Sequence, residues 1–513
     1  MSLLKTSFQG VGSKRNLAVT GVMLVIFLFA IDATIVATSM PTIVAKLGGL
    51  ELYSWVFSIY MLASALATPI FGKLADLFSR RRLMLIGIGI FLAGSLLCGA
   101  AQSMEAMVLF RAVQGIGGGA IYALSFIVVG ILYAPEKRAR MQGIISGIWG
   151  LASILGPLAG AIIVEAWNWR WIFFVNLPLV AIASALIISG LKEEQRQTRT
   201  IKLDLWGATT LLAGLLLLFY ALAQSAHTYD PVNAEMLTMI VMGLVILAVF
   251  VVIERRAEEP IMPIDLFHVR LFRTSTAVAT LCSMGVFGAI SYIPLYLQGV
   301  HGTAASGAGM VLLFLSLGWT AGSLLAGRWV NSMGYRVVAV AGMALLAVGY
   351  ALLMAPHISA GIVGVIASAI AIGVGMGLAN LTTLVAAQTG VSAHRIGVAT
   401  STIMLFRTFG GAFAVSLMGT VMLNRMQGGL GRLQSGNTAI ADDLWQKLAN
   451  PQNLLEPATR SQVPADLLPH LIALLGDAIW YGFVTAFILM ILGLIVSFFI
   501  PPYTPANTPK PAR

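Results

Sequence analysis

Two side chains that could carry chemistry lie deep inside long apolar stretches: the carboxyl of Asp32 and the guanidinium of Arg111. A charge at membrane depth costs about 2.5 to 3.5 kcal/mol on insertion scales, so such residues are candidates for function. A carboxyl can take up and release a proton, and a nearby guanidinium favours its ionised form. We interpret the pair as a proton-coupling site. The alternatives are a protonated Asp32 that only bonds a neighbouring helix and an Arg111 anchored by helix-end carbonyls.

The two residues are predicted to share one depth. If the apolar stretches are helices that cross a bilayer, the rise of 1.5 Å per residue places Asp32 about 12 Å and Arg111 about 10 Å below the same surface. An arginine at that level would hold Asp32 ionised when close and let it take a proton when displaced. Their separation would then act as a conformational switch.

The composition is that of a polytopic membrane protein. Of 513 residues, 58% are apolar and only 10% are charged, against about 25% charged in ordinary globular proteins. The net charge of +11 comes from cations scattered in short clusters between apolar runs, which excludes a nucleic-acid-binding surface. The lipid bilayer is the predicted surrounding.

Apolar runs long enough to cross a bilayer can be counted along the chain. A hydrocarbon core about 30 Å thick needs about 20 apolar residues per helix. We predict fourteen spans, at about residues 17–40, 52–71, 83–101, 104–132, 141–164, 171–191, 203–224, 236–253, 275–297, 305–330, 337–355, 358–381, 397–423 and 479–500.

The cations between the spans predict the orientation. Of the 31 Lys and Arg, 23 lie in one set of alternate segments, which includes both termini, and 6 lie in the opposite set. Lys and Arg near span ends are retained on the cytoplasmic side. Both termini are therefore predicted in the cytoplasm, and the protein in the cell membrane.

An internal repeat predicts two related halves. Gly72, Asp76, Ser79 and Arg81 after the second span recur as Gly327, Asn331, Gly334 and Arg336 after the tenth, at an offset of 255 residues. Internal repeats are typical of secondary transporters, whose substrate site lies between the repeats. We predict an N-terminal six-helix bundle at 1–199, an inserted two-helix hairpin at 200–256 and a C-terminal six-helix bundle at 257–513. A long extracytoplasmic loop is predicted at about 424–477.

Several motifs together resemble one family. Gly72-Lys-Leu-Ala-Asp76-Leu-Phe-Ser79-Arg-Arg81 resembles the loop signature of the major facilitator superfamily, although Leu77 and Ser79 replace its usual Arg and Gly. Arg111-Ala-Val-Gln114-Gly115-Ile-Gly117 is similar to that superfamily's motif in the fourth helix. Gly156-Pro157-Leu-Ala-Gly160 is similar to its antiporter motif, with Ala161 in place of the second Gly.

With the two inserted helices, these motifs resemble the 14-helix drug:proton antiporters of the EmrB/QacA type. The resemblance implies an all-α major facilitator fold and export of hydrophobic or cationic drugs in exchange for protons by alternating access. It assigns Arg111 a role in proton transfer and makes Gly156, Pro157 and Gly160 a hinge. No cofactor and no metal are expected. In a bacterium with two membranes the protein is expected in the inner membrane, with a periplasmic adaptor as a possible partner.

Nine motif residues are candidates for gating and helix packing. The glycines remove side-chain bulk, which allows close approach or bending of helices. The acid of the loop signature, with its arginines, is predicted to form a latch that pairs with a neighbouring helix end in one state and separates in the other; a solvated loop is the alternative. The nine are Gly72, Asp76, Arg80, Arg81, Gln114, Gly115, Gly156, Pro157 and Gly160.

A further set could line a substrate pocket. Aromatic rings within the spans can hold flat hydrophobic cations through cation–π contacts, while lipid contact or core packing is the alternative. Arg407 is a second cation inside a span, and the sequence leaves open whether it binds an anionic group or backbone carbonyls. The candidates are Tyr60, Tyr122, Trp149, Tyr292, Tyr296, Phe406 and Arg407, with Trp319 as a further aromatic.

Other functions were weighed against drug export. A pocket that is mostly apolar would also suit an exporter or flippase of lysolipid-like amphiphiles. A lipid-modifying membrane enzyme would need a cluster of catalytic or metal-binding side chains, whereas the six histidines are dispersed near or outside the span ends. A sensor would need a soluble signalling domain, and no connector is long enough. One acid against two cations inside the spans also predicts discrimination against dications, so that monovalent lipophilic cations, neutral amphiphiles or weak anions are favoured.

Overall fold

The computed structural model describes residues 2–48, 52–191, 204–225, 234–258, 260–303, 305–355, 361–435, 445, 448, 462–464 and 466–504. Regular secondary structure in these ranges is entirely helical, which confirms the all-α class. The helices are α1 Ser2–Leu47, α2 Tyr53–Leu77, α3 Arg80–Ala100, α4 Met104–Leu132, α5 Pro135–Ala166, α6 Trp171–Phe174, α7 Asn176–Gly190, α8 Leu205–Ser225, α9 Ala234–Glu254, α10 Arg270–Gly299, α11 Ala305–Met354, α12 Ile362–Thr389, α13 Ile396–Ser435 and α14 Leu468–Ser497.

The described helices confirm a polytopic membrane protein. Twelve of them are long and apolar enough to cross a membrane. One of the twelve, Gly307–Met354, contains 48 residues, and a shorter apolar helix, Trp206–Ala221, follows the sixth span. The predicted number of fourteen spans stays a prediction.

A sharp break divides α11. Gly334 has φ 81° and ψ 169°, a conformation that glycine adopts without the steric cost of a Cβ atom. The next residue, Tyr335, donates its N–H to the carbonyl oxygen of Tyr503 at 2.9 Å, and Arg336 donates to that of Ile500 at 2.7 Å. The chain after α14 therefore packs against this break, where the sequence predicts the end of the tenth span.

The first glycine of each repeated loop lies against the opposite half. A Cβ atom added at Gly72 of α2 would lie 2.0 Å from Ser401 Oγ of α13, and one added at Gly327 of α11 would lie 3.0 Å from the Ala139 carbonyl oxygen of α5. Both positions therefore need glycine for close helix contact. The two contacts thus involve corresponding positions of the repeated loops.

Two boundaries differ from those predicted. The sixth span is divided at Val175 into α6 and α7, because Pro178 lacks an N–H to continue the helical hydrogen bonds. The predicted long loop at about 424–477 is shorter, since α13 continues to Ser435 and α14 already begins at Leu468. Most of the segment between these helices lies outside the described residues.

Helix α8, in the predicted hairpin, packs against α2 and α13. Tyr220 of α8 stacks near Trp55 of α2, with ring centroids 6.0 Å apart, and Phe219 contacts Phe409 of α13 at 6.0 Å. At the end of α9, Glu254 is buried and accepts the N–H groups of residues 261 and 262 at 2.9 and 3.2 Å. These bonds hold the chain after α9 against the end of that helix.

Glycines on opposite sides of α4 let its neighbours approach. A Cβ atom at Gly115 would lie 2.6 Å from the Tyr60 carbonyl oxygen of α2, and one at Gly119 would lie 2.2 Å from that of Ser64. On another face, a Cβ atom at Gly117 would lie 2.2 Å from the Phe91 amide nitrogen of α3. Side chains at these positions would push α2 and α3 away from α4, which carries Arg111.

Candidate functional site

Asp32 and Arg111 form a buried ion pair. An Nη1 atom of Arg111 lies 2.7 Å from Asp32 Oδ2, and the side chains are 1% and 0% exposed. The pair joins α1 to α4, so the two residues that the sequence predicts as partners are in direct contact. Because neither charge reaches water, each depends on the other and on nearby polar groups for stabilisation.

Gln114 completes this site. Its Nε2 donates to the second oxygen of Asp32 at 2.8 Å, and its Oε1 accepts from Arg111 Nη1 at 2.8 Å. The sequence grouped Gln114 with gating and packing residues, yet its spacing of three from Arg111 is a usable signal, since residues i and i+3 share a helix face. Both carboxylate oxygens of Asp32 are thus hydrogen-bonded.

Arg111 also has partners that do not depend on Asp32. Its Nε donates to the Val56 carbonyl oxygen at 3.4 Å, and its guanidinium carbon lies 4.0 Å from the centroid of the Tyr60 ring. A cation over an aromatic face is stabilised by the ring quadrupole. The arginine therefore keeps favourable contacts with α2 when Asp32 is neutral. This arrangement places Tyr60 beside the buried ion pair.

Thr34 connects the acid's helix to α5. Its hydroxyl donates to the Ala152 carbonyl oxygen at 3.2 Å, and a Cβ atom added at Gly156 would lie 1.9 Å from Thr34 Oγ1. Of the predicted hinge residues, Gly156 of α5 therefore lies against Thr34, two residues beyond Asp32 in α1. Gly160 is also in α5 and is buried. The side chain of Pro157 lies outside the described residues.

The predicted latch residue Asp76 contacts the start of α13. Its carboxylate accepts the N–H groups of Gly397 and Val398 at 2.9 and 2.8 Å. A carboxylate at a helix N-terminus is stabilised by the unpaired amides and the helix dipole. Arg80 is buried at the start of α3 and Arg81 is half-buried beside it. We call this side of the bundle the Asp76 end.

A second polar contact joins the halves near the Asp76 end. Gln142 of α5 donates to Gln388 Oε1 of α12 at 2.7 Å, and Gln388 Nε2 donates to Thr400 Oγ1 of α13 at 2.9 Å. The same Nε2 lies 3.4 Å from the Phe126 carbonyl oxygen of α4. Together with the Asp76 bonds and the two glycine contacts, this network joins helices of the two predicted halves at the Asp76 end. Neither glutamine was predicted from the sequence.

Three of the predicted pocket aromatics join one cluster. Phe29 contacts Tyr60, Tyr122 and Trp149 with ring centroids 6.0, 5.4 and 5.6 Å apart. Trp149 contacts Trp319 of α11 at 5.7 Å, so the cluster extends from the first half to the second. Phe29 was missed by the sequence analysis, although it lies three residues before Asp32.

The other predicted pocket aromatics lie apart from this cluster. The Tyr292 hydroxyl donates to the Val415 carbonyl oxygen at 2.7 Å, and Tyr296 packs against Phe483 at 5.8 Å; both contacts lie within the second half. Phe406 contacts Phe267 in the connector before α10 at 5.7 Å. For these three residues the structure favours packing, the alternative considered in the sequence.

Arg407 bonds α12 through one guanidinium nitrogen. Its Nη2 donates to the Asn380 carbonyl oxygen, and to Thr383 Oγ1 at 3.1 Å. Its Nε is buried and has no hydrogen-bond partner among the described residues. A backbone carbonyl, one of the two alternatives left open by the sequence, is thus one partner of Arg407. The Nε–H group of the guanidinium remains available as a donor.

Replacing Arg111 is expected to move the pH dependence of transport. Arg111→Ala removes the cation that favours ionised Asp32, so the profile should shift to higher pH. Arg111→Lys should restore it only in part, because a point charge cannot bond Asp32 and Gln114 while lying over Tyr60. Transport rates across a pH series measure the shift, and an unchanged profile in both variants would leave Arg111 a structural residue.

Neutralising Asp76 is expected to open its end of the bundle. Asp76→Asn removes a charge at the α13 N-terminus worth about 0.3 to 2 kcal/mol. Spin labels on Lys137→Cys and Arg328→Cys, in a background with Cys98 and Cys282 replaced by Ser, should report a larger population of long distances. Asp265→Asn, which removes an exposed acid paired with Arg395, serves as control. Equal distance distributions in both variants would contradict the latch.

Similarity to known proteins agrees with this architecture. Residues 22–415 match the Major Facilitator Superfamily. The "Multidrug transporter protein MdtP" of Bacillus subtilis (strain 168) is 34% identical, over 98% of this chain and 96% of its own length. "Multidrug resistance protein 3" of the same organism is 36% identical, over 95% of each chain.

A solved structure extends the likeness to the fold. The human organic anion transporter MFSD10 (TETRAN) covers 93% of this chain and 99% of its own, with a TM-score of 0.58 at 17% identity. At that identity the likeness concerns the fold alone. The family match covers most of the chain, and the two bacterial relatives align over nearly all of it. The chain therefore belongs to the major facilitator superfamily.

Proposed function

We propose that this protein is a proton-coupled antiporter that exports hydrophobic or monovalent cationic drugs by alternating access. The observation that carries the proposal is the Asp32–Arg111 pair, 2.7 Å apart and out of contact with solvent. The names of the two bacterial relatives support drug export. Proton coupling rests on the chemistry of the pair.

Protonation of Asp32 would remove the negative charge from the buried ion pair. Arg111 would then depend on the Val56 carbonyl and the Tyr60 ring, which it already contacts. Because these partners are in place beforehand, the guanidinium does not become an unpartnered buried charge, which would cost several kcal/mol. The contact between α1 and α4 weakens, and the two helices can separate.

A chain of contacts can carry this change to the Asp76 end. Thr34, on α1 beside Asp32, bonds the Ala152 carbonyl of α5. The same helix α5 carries Gln142, which bonds Gln388 of α12 across the halves. A shift of α1 relative to α5 would therefore act on an element that closes one end of the bundle. In this proposal the bundles at 1–199 and 257–513 rock against each other, and the hairpin at 200–256 bridges them.

The aromatic cluster would bind the substrate. Phe29, Tyr122 and Trp149 offer ring faces, and Trp319 adds one from the second half. Ring faces suit flat hydrophobic molecules and cations. With both termini in the cytoplasm, as the cations between the spans indicate, the present state is closed to the cytoplasm.

Proteoliposomes under an imposed pH gradient test this function. Tetraphenylphosphonium, a permanent monovalent cation, should accumulate on the acid side while valinomycin and potassium hold the membrane potential at zero. Dissipating the pH gradient should abolish the accumulation, and protein-free liposomes give the background. Equilibration without accumulation would contradict antiport. A labelled lysophospholipid accumulating in its place would favour the amphiphile exporter.

A further inference from the structure

Arg407 leaves a positive charge inside the bundle that no described acid balances. Asp32, Arg111 and Arg407 are the charged residues that the structure describes inside the bundle and well away from the span ends. Asp32 and Arg111 neutralise each other in their ion pair. Arg407, half-buried in α13, donates hydrogen bonds to a carbonyl and a hydroxyl of α12, both of which are uncharged. The interior therefore carries one net positive charge when Asp32 is ionised.

Unused hydrogen-bonding groups lie on Arg407 itself and on α12, the helix that it contacts. Arg407 Nε, Asn380 Oδ1 and Thr382 Oγ1 are buried and without hydrogen-bond partners in the described part of the chain. Buried polar atoms are usually satisfied by protein, water or a ligand. Guanidinium N–H groups and a threonine hydroxyl can donate to a carboxylate, and the Asn380 amide adds a donor on rotation. The set is suited to an anion.

The aromatic cluster lies close to the same place. Trp319 contacts α12 at Gly377, where an added Cβ atom would lie 2.3 Å from the Trp319 carbonyl oxygen. Arg407 bonds the same helix at Asn380, three residues later, which is less than one helical turn. Trp319 in turn contacts Trp149, at 5.7 Å. An anion on Arg407 could therefore extend an attached ring toward the cluster.

We propose that Arg407 is a substrate-binding residue, and that this pocket also binds organic monoanions with a planar aromatic body, the anion on Arg407 and the ring on the aromatic cluster. The proposal rests on the proposed transport function and adds monoanions to the hydrophobic and monovalent cationic drugs, which would bind on the aromatic cluster alone. Binding a monoanion neutralises the remaining charge, whereas a cation at the same position meets Arg407 unscreened. A dication is disfavoured further.

Binding of three probes with one ring system tests the proposal on the purified full-length protein in lipid nanodiscs. The probes are 2-naphthoate, neutral 2-naphthamide and (2-naphthylmethyl)trimethylammonium, measured by equilibrium dialysis. The wild-type protein should bind 2-naphthoate about tenfold or more tightly than 2-naphthamide, because hydrogen bonds to a charged group are stronger than those to a neutral one. Similar affinities for all three probes would overturn the proposal, whatever the variants do.

Variants then assign the effect to one residue. Arg407→Gln should weaken 2-naphthoate binding about tenfold to a hundredfold and leave 2-naphthamide within about twofold; Arg407→Lys should retain part of the preference. Arg425→Gln, which removes an exposed arginine from the same helix, should change nothing. Equal loss for all probes in Arg407→Gln would identify a structural residue and overturn the proposal.

The same assay separates this proposal from the transport function. Asp32→Asn should still bind 2-naphthoate, because binding to Arg407 does not require proton coupling. If the proteoliposome experiment fails while the charge preference persists, the transport mechanism is wrong and the anion site stands. If transport is proton-coupled but no preference for the anion is found, the anion site is wrong.

Discussion

Asp32→Asn is expected to abolish accumulation of substrate against a proton gradient while the protein still folds and inserts. The amide has the shape of the protonated acid, and its oxygen can still accept from Gln114. The site is then fixed in a neutral form that cannot exchange protons. Transport down a substrate gradient, measured as counterflow at equal pH, should persist.

A matched control is Glu105→Gln, which removes an exposed acid at the start of α4 and should leave accumulation unchanged. The outcome that contradicts the assignment is accumulation by Asp32→Asn with the pH dependence of the wild-type protein. Loss of both accumulation and counterflow would instead indicate that Asp32 is needed for substrate binding or for the conformational change.

Gly156→Ala should produce the second largest loss of transport. The added methyl carbon would lie 1.9 Å from Thr34 Oγ1 and 2.8 Å from Thr34 Cβ, so α5 must move away from α1 beside Asp32. Overpacking of this kind costs about 1 to 3 kcal/mol. If the active arrangement bears that strain, the transport rate falls about tenfold to a hundredfold.

Two further variants identify the cause of this loss. Gly89→Ala in α3 adds the same methyl group where no atom lies within 4 Å, and it should transport normally. Thr34→Ala combined with Gly156→Ala removes the hydroxyl but keeps the close Cβ, so it should restore part of the rate. Normal transport by Gly156→Ala alone would show that the contact between α1 and α5 is not part of the cycle.

The sequence predicted the membrane class and the contact between Asp32 and Arg111 because both depend on strong local signals. A carboxylate inside an apolar run is costly unless it has a partner, and counting residues at a fixed rise sufficed to pair Asp32 with Arg111. The glycines of α4 were also readable, since close helix contacts need small residues. These predictions required no knowledge of how the two halves are arranged.

The contacts between the halves could not be read in the same way. Gln142 and Gln388 are 246 residues apart, and each looks like an ordinary polar residue near a span end. All the aromatic candidates lie within predicted spans, both those in the cluster, such as Tyr122 and Trp149, and those outside it, Tyr292, Tyr296 and Phe406. The direction in which each ring points depends on the rotation of its helix about its own axis. Hydropathy sets length and depth and leaves that rotation undetermined.

The helix boundaries were predicted less accurately for a different reason. The sequence ended the thirteenth span near residue 423, where the apolar run stops, whereas α13 continues to Ser435. A helix can continue past the bilayer when its end is packed: Met426 and Leu430 are buried with Trp445 and Leu471. Hydropathy reports the part of a helix that lies in lipid, so it underestimates such an extension.

Proton release on substrate binding tests the central claim most directly. In weakly buffered detergent solution with a pH indicator, saturating tetraphenylphosphonium should release protons from the wild-type protein, because substrate and proton favour opposite charge states of Asp32. The release should vanish in Asp32→Asn although the substrate still binds. Equal proton release from both proteins, or none from a wild-type protein that binds the substrate, would contradict the assignment of Asp32 as the coupling residue.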